Sequence, residues 1–186
     1  MVTSSFPSLE YKHFAATKGV RFAREAGTNV ARLGIGLYGF DTAPGGASSL
    51  MPVLELRSII GELRTISAGE SVGYNATYTA FRETKVATIP AGYFEGIDRR
   101  LSNKGQVSVR GVLCPIIGRV SMNMTAIDVT EVPQVSIGDT VTLISRDLSL
   151  ANSVPQIAKA IGNEEYRESE YVVLVHIPQH LKRVLE

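Results

Sequence analysis

From Val53 to Ile144 the chain alternates short apolar runs with turn-forming residues, and nothing else in it restricts the fold so strongly. Val53–Leu63 reads as a strand that sets Leu54, Leu56 and Ile60 on one side. Lys85–Pro90, Gln106–Val109, Val112–Val120, Met124–Val129 and Thr140–Ile144 follow as further short strands. Asn103-Lys104-Gly105, Arg110-Gly111 and Ile137-Gly138-Asp139 supply the turns between them. Many short strands at close spacing predict a mainly β fold, a small β-barrel or sandwich. Ser153–Ile161 then reads as a helix, with Ser153 as its cap, Pro155 in its first turn and Gly162 as its stop. Glu170–Ile177 returns as a last strand, and Pro178–Glu186 ends basic and amphipathic.

Upstream the pattern differs. Met1–Glu10 is polar and turn-rich. His13–Thr17 reads as a short buried strand ending in a hydroxyl, Lys18–Ala26 as a helix stopped by Gly27, and Val30–Phe40 as a second apolar run broken by glycines. Strand, helix, strand is the rhythm of parallel βα structure, and two such units cannot close a barrel of eight. This half therefore reads as the end of a domain that begins elsewhere. Asp41–Leu50 is a linker by composition.

Lys and Arg number 19 against 18 Asp and Glu, so no basic stripe points to nucleic acid or a membrane surface. Cys114 stands alone and cannot form an internal disulfide, which suits a reducing, cytoplasmic setting. No apolar run has the length of a membrane span. The three histidines, one cysteine and scattered acids show no metal-ligand spacing; His176 and His180 are four apart, but Pro178 between them argues against a helical pair.

Four stretches could carry chemistry, and each has a plain structural reading beside it. Val72-Gly-Tyr-Asn-Ala-Thr-Tyr-Thr-Ala sets Tyr74 and Tyr78 four residues apart, either as packing tyrosines on a turn and strand or with one hydroxyl moving a proton. Arg32-Leu-Gly-Ile-Gly places an arginine beside closely approachable backbone; with Thr17 it could meet a phosphate, or its glycines could merely pack. Ile89–Arg100 runs into a loop holding Tyr93, Arg99 and Arg100, which is a solvated turn or a site where an arginine favours phenolate. Gly118–Met124 sets two methionines beside an arginine, as core filler or as a loop whose amides hold a carboxylate.

Taken in order, His13…Thr17, Arg32-Leu-Gly-Ile-Gly-Leu-Tyr-Gly, Val72-Gly-Tyr-Asn-Ala-Thr-Tyr, Ile89-Pro-Ala-Gly-Tyr-Phe-Glu-Gly and Gly118-Arg-Val-Ser-Met-Asn-Met resemble the alanine racemase family of fold type III, which uses pyridoxal 5′-phosphate. The resemblance covers roughly residues 10 to 177. It implies that residues 1–41 are the last βα units of a (β/α)8 barrel and residues 42–186 the C-terminal β-domain. Tyr74 matches the tyrosine that exchanges a proton with the α-carbon. Arg32 matches the arginine facing the pyridine nitrogen, with His13 behind it; Thr17, Gly34 and Ile35 match phosphate contacts. A guanidinium has no acceptor to offer and stays protonated, so it would leave that nitrogen unprotonated and the electron sink weak. Tyr93 matches a tyrosine lining substrate access, Arg99 an arginine near the catalytic tyrosine, and Met122 the residue whose amide meets the substrate carboxylate.

What this implies is interconversion of L- and D-alanine for peptidoglycan, in a cytoplasmic homodimer with shared active sites. No part of the chain matches the region carrying the cofactor-binding lysine, so the chain alone is expected to be inactive. Asn123 stands where the family commonly has aspartate, and His176-Ile-Pro-Gln-His where it often has a phosphate-reaching tyrosine. A racemase for serine or lysine, or a non-enzymatic β-domain for dimerisation, are the alternatives.

Overall fold

The computed structural model describes residues 8–23, 25–40 and 50–162. Two compact units divide the chain, Met1–Leu54 and Glu55–Glu186. The expected strand Glu170–Ile177, the end Pro178–Glu186, the start of Met1–Glu10 and nearly all of Asp41–Leu50 lie outside the described residues.

In the first unit two extended segments run parallel and meet in a bridge between Ala16 and Arg32, where the Arg32 amide donates to the Ala15 carbonyl at 2.9 Å. Asn29 fastens their start, accepting from the Lys12 amide at 2.7 Å and donating to the Glu10 carbonyl at 2.7 Å. The expected buried strand over His13–Thr17 shrinks to this bridge, because only Ala15 of that run is buried while His13 and Phe14 are exposed. The expected helix over Lys18–Ala26 is instead a 3₁₀ helix, Thr17–Phe22. Gly19 and the β-branched Val20 both weaken an α-helix there. The apolar run Val30–Phe40 also stops being extended at Gly34 and turns into a 3₁₀ helix, Ile35–Tyr38. Three glycines in six residues, Gly34, Gly36 and Gly39, leave too little side chain to hold a pleated strand.

The second unit is mainly β. Its strands are β1 (Leu56–Ile59), β2 (Glu62–Ile66), β3 (Ser71–Val72), β4 (Tyr78–Thr79), β5 (Thr84–Ile89), β6 (Gln106–Val109), β7 (Val112–Pro115), β8 (Thr125–Asp128) and β9 (Thr140–Ile144), followed by helix α1 (Val154–Ala160). One antiparallel sheet has the order β1-β9-β6-β7, a second β2-β5-β8, and β3 with β4 makes a small ribbon. The sheets join on two sides. Ile60 and Gly61 carry the chain from β1 to β2, their amides donating to Asp139 and Thr88, and Ile116 bridges Ile127 beyond the end of β7. Val107, Val109, Ile127 and Val141 alternate with partly exposed neighbours, so β6, β8 and β9 each bury mainly one face, whereas β5 is buried on both, with Val86 on one face and Ala87 and Ile89 on the other.

Several boundaries move for local reasons. The strand expected over Val53–Leu63 splits in two, because fully buried Ile60 is the pivot between sheets. The run Val112–Val120 leaves the sheet at Pro115, which has no amide to donate. Arg110 and Gly111, with φ of 51° and 80°, make the tight turn from β6 to β7. Ser153 precedes α1 without capping it; its hydroxyl donates to the Leu148 carbonyl at 3.3 Å.

Asp139 clamps two turns of this unit. Its carboxylate accepts from Arg110 Nε and Nη2, both at 2.9 Å, and from the Ser136 amide at 2.8 Å. These bonds, the Arg110 side chain first, hold its carboxyl below the ordinary carboxylate range. A depressed native pKa stabilises the fold above the unfolded value, near ~3.9, and that contribution is lost as pH falls through the native value. Acid unfolding followed by circular dichroism should therefore begin at higher pH in Asp139→Asn than in the parent. Coincident acid limbs would show that the pair contributes nothing.

Candidate functional site

In the first unit, the end of the parallel pair gathers donors. Thr17 Oγ1 accepts from the Gly36 amide at 3.2 Å and the Gly34 amide at 3.4 Å, which leaves the hydroxyl proton free to donate outward. A methyl group built on Gly34 would meet nothing within 4 Å, so this backbone faces open space, and Ile35 follows it at the start of its 3₁₀ helix. Arg32 directs Nη2 to the Phe14 carbonyl at 3.1 Å, next to exposed His13. Four of the five residues expected here, Thr17, Arg32, Gly34 and His13, thus lie on or against the two bridged segments, and Ile35 leads away from them.

The second unit collects the others on three loops. Tyr74 opens a 3₁₀ turn, Tyr74–Ala76, at the tip of the β3–β4 ribbon and is 67% exposed. Tyr78 instead packs on a buried cluster of Ile66, Val72, Ala80, Val86 and Ile117. The two tyrosines therefore part company: one packs, and the other is presented. Met122 and Met124 are also exposed, which removes them as core filler.

The Tyr93 and Met122 loops are joined backbone to backbone. The Tyr93 amide donates to the Ser121 carbonyl at 3.0 Å and the Phe94 amide to the Met122 carbonyl at 2.8 Å. Gly118 lies against the ribbon, and a methyl group on it would come within 2.6 Å of the Val72 carbonyl oxygen. Only glycine also adopts its φ of 72° without strain. Arg99 sits over the Tyr93 ring at 5.8 Å, within the range of a cation–π contact.

An open cleft lined by Thr77, Arg99, Arg100, Ser102, Asn103 and Arg119 lies among these loops. Arg100 is neutralised by Asp98, to which it donates from its backbone amide and two guanidinium nitrogens. Arg99 and Arg119 have no carboxylate partner among the described residues, so the cleft keeps a positive character suited to a small anion. Arg119 comes from the Gly118–Met124 stretch that sets an arginine beside methionines, whereas Ser102 and Asn103 carry no signal in the sequence beyond the Asn103-Lys104-Gly105 turn. Cys114 is buried, and burial first and then the Asp128 charge push its thiol up to about 11, which disfavours the thiolate. Among the described residues no three His, Cys, Asp or Glu side chains could hold a metal ion, and no helix is long and apolar enough to cross a membrane.

The second unit is mainly β and presents Tyr74, Tyr93, Arg99 and Met122 on loops, and the first holds a parallel pair beside which amides and a hydroxyl converge. Residues 53–185 match the family model described as alanine racemase, C-terminal domain. The chain belongs to that family. It is 42% identical over 142 residues to the alanine racemase of Sorangium cellulosum, a stretch covering 72% of this chain and 38% of that protein. With the catabolic alanine racemase of Rhizobium johnstonii it shares 38% identity over 168 residues, 89% of this chain and 43% of the relative. The chain thus spans about four-tenths of the length of these curated relatives. Among solved structures, the alanine racemase of E. faecalis matches with a TM-score of 0.76 and 27% identity over 96% of this chain and 48% of that one. The Bartonella henselae enzyme with covalently bound pyridoxal phosphate gives 0.71 and 29% over 87% and 44%.

Proposed function

We propose that this chain is the C-terminal portion of an alanine racemase that interconverts L- and D-alanine with pyridoxal 5′-phosphate and so supplies D-alanine for peptidoglycan. The observation that carries the reading is Tyr74, exposed at the tip of a ribbon whose base is packed on the Gly118–Met122 loop. In this reading residues 1–41 end the barrel domain and residues 42–186 form the β-domain. Tyr74 is one proton carrier. The other, with the cofactor-bearing lysine, belongs to barrel segments that nothing in this chain matches.

The first unit fits the cofactor. Thr17, through its outward hydroxyl proton, and the Gly34 and Ile35 backbone would hold the phosphate: the Gly34 side is open, and the Gly34 amide would exchange its long 3.4 Å bond to Thr17 Oγ1 for a phosphate oxygen. Arg32 would face the ring nitrogen with His13 behind it. When bound, the cofactor draws electron density from the α-carbon and makes its proton removable. The chain's own residues do the rest. Tyr74 takes or returns that proton on one face, the Met122 amide holds the substrate carboxylate, and Tyr93 with Arg99 lines the way in. The protein works as a cytoplasmic homodimer in which the β-domain of one subunit completes the barrel site of its partner.

Racemisation of alanine, serine and lysine by the full-length protein tests this directly. Alanine should be the preferred substrate. Serine or lysine preferred instead would support the alternative racemases, for which the uncharged Asn123 beside Met122 is the relevant change. No turnover of any of them, with a folded dimer, would leave the non-enzymatic β-domain. This chain by itself should show no racemisation with saturating cofactor.

A further inference from the structure

We propose that Asn103 is a positioning residue that sets Tyr74 for proton transfer by tying its ribbon to the Gly118–Met122 loop; this rests on the reading of Tyr74 as a proton carrier. The ribbon needs such a tie. β3 and β4 pair over only two residues each, Ser71 with Thr79 and Val72 with Tyr78, and the backbone bonds that continue the ladder, between Gly69 and Ala80 and between Ala80 and Glu70, lie at the base, so the Tyr74 end is farthest from support. At its tip Asn75 and Ala76 take φ of 61° and 46°, a region non-glycine residues occupy only when their surroundings hold them. The backbone bond closing the tip, from the Ala76 amide to the Gly73 carbonyl, is long at 3.4 Å.

Asn103 supplies a hold from outside. Its Nδ2 donates to the Thr77 carbonyl at 3.2 Å and lies 3.3 Å from Thr77 Oγ1, while its Oδ1 accepts from the Gly118 amide at 2.6 Å. The partners fix the orientation of the carboxamide: an amide N–H needs an acceptor and a carbonyl needs a donor, so oxygen meets Gly118 and nitrogen meets Thr77. One side chain thus bridges the ribbon, three residues from Tyr74, and the loop, four residues from Met122. Its neighbour Ser102 extends the clamp, accepting from the Val120 amide at 3.0 Å and donating to the Arg99 carbonyl at 2.6 Å. Asn103 itself stands at φ 57°, a conformation asparagine tolerates better than most residues.

A proton carrier displaced by about 1 Å can lose about 100-fold in rate. The test is a double-mutant cycle in the full-length holoenzyme with Tyr74→Phe and Asn103→Gly. Glycine is chosen because it keeps φ 57° without strain while removing the tie. Solvent deuterium exchange into L- and D-alanine at saturating substrate reads each face separately. Cofactor absorbance and thermal unfolding report integrity, and Asn103→Asp, which keeps only the acceptor for Gly118, serves if the glycine variant does not fold. Asn103→Gly should slow exchange on the Tyr74 face by about 10- to 100-fold. It should spare the other face and the cofactor, and add nothing when Tyr74 is already phenylalanine. Additive effects, or equal slowing of both faces, would overturn the role of Asn103 while Tyr74→Phe remains one-sided. If Tyr74→Phe itself slows both faces and releases cofactor, both readings fall.

Discussion

Tyr74→Phe in the full-length enzyme is expected to slow proton exchange on one face of the α-carbon by about 100- to 10,000-fold, the usual share of a general acid or base, while leaving the cofactor bound. On the proposed reading racemisation uses a carrier on each face and Tyr74 is one of the two, so the loss should be one-sided. The cofactor is spared because its proposed holders, Thr17, Gly34, Ile35 and Arg32, lie in the first unit, whereas Tyr74 belongs to the second. Arg99 and Arg119, without carboxylate partners among the described residues, line the cleft that Thr77 of the same ribbon also lines. Solvent deuterium exchange into each alanine enantiomer makes the measurement. Equal slowing from both, together with release of the cofactor, would make Tyr74 a packing residue.

The sheets were largely legible in the sequence and the site only partly. Gln106–Val109 and Thr140–Ile144 occupy the positions expected from alternation, because one face of each strand is buried and the turns beside them carry their own signals. The β3–β4 ribbon has no such signature, since two-residue strands show no period. Tyr74 and Tyr78 share parity, so a continuous strand would put both on one face; the 3₁₀ turn at Tyr74–Ala76 breaks that register and sends them different ways. In the first unit, Gly34 and Gly36 sit in an apolar run that reads as strand, and only the backbone shows that the run ends there. Asn103 read as a turn residue. Its contacts with Thr77 and Gly118 are separated by 26 and 15 residues, a distance over which local pattern says nothing.

Gly92→Ala is expected to be severely destabilising for so small a change. A methyl group there would lie 2.2 Å from the Ser121 carbonyl oxygen, 2.6 Å from that of Met122 and 2.7 Å from the Asn123 amide nitrogen. All three are backbone atoms, so no side chain can swing away to make room. The two loops must separate, and the bonds from Tyr93 to Ser121 and from Phe94 to Met122 are the first to stretch. Overpacking of this kind costs roughly 1–3 kcal/mol, and two hydrogen bonds add about 1 kcal/mol each, giving roughly 3–5 kcal/mol. Gly61→Ala is the control. Its added methyl would find its nearest neighbours at 3.5 Å, an ordinary contact, and should cost about 1 kcal/mol or less. Urea unfolding followed by tyrosine fluorescence suits a chain with seven tyrosines and no tryptophan. Equal midpoints and slopes for the two variants would mean that the Tyr93 and Met122 loops yield easily. A large gap would show that the backbone contact at Gly92 sets their spacing, and with it the place of the Met122 amide relative to Tyr93.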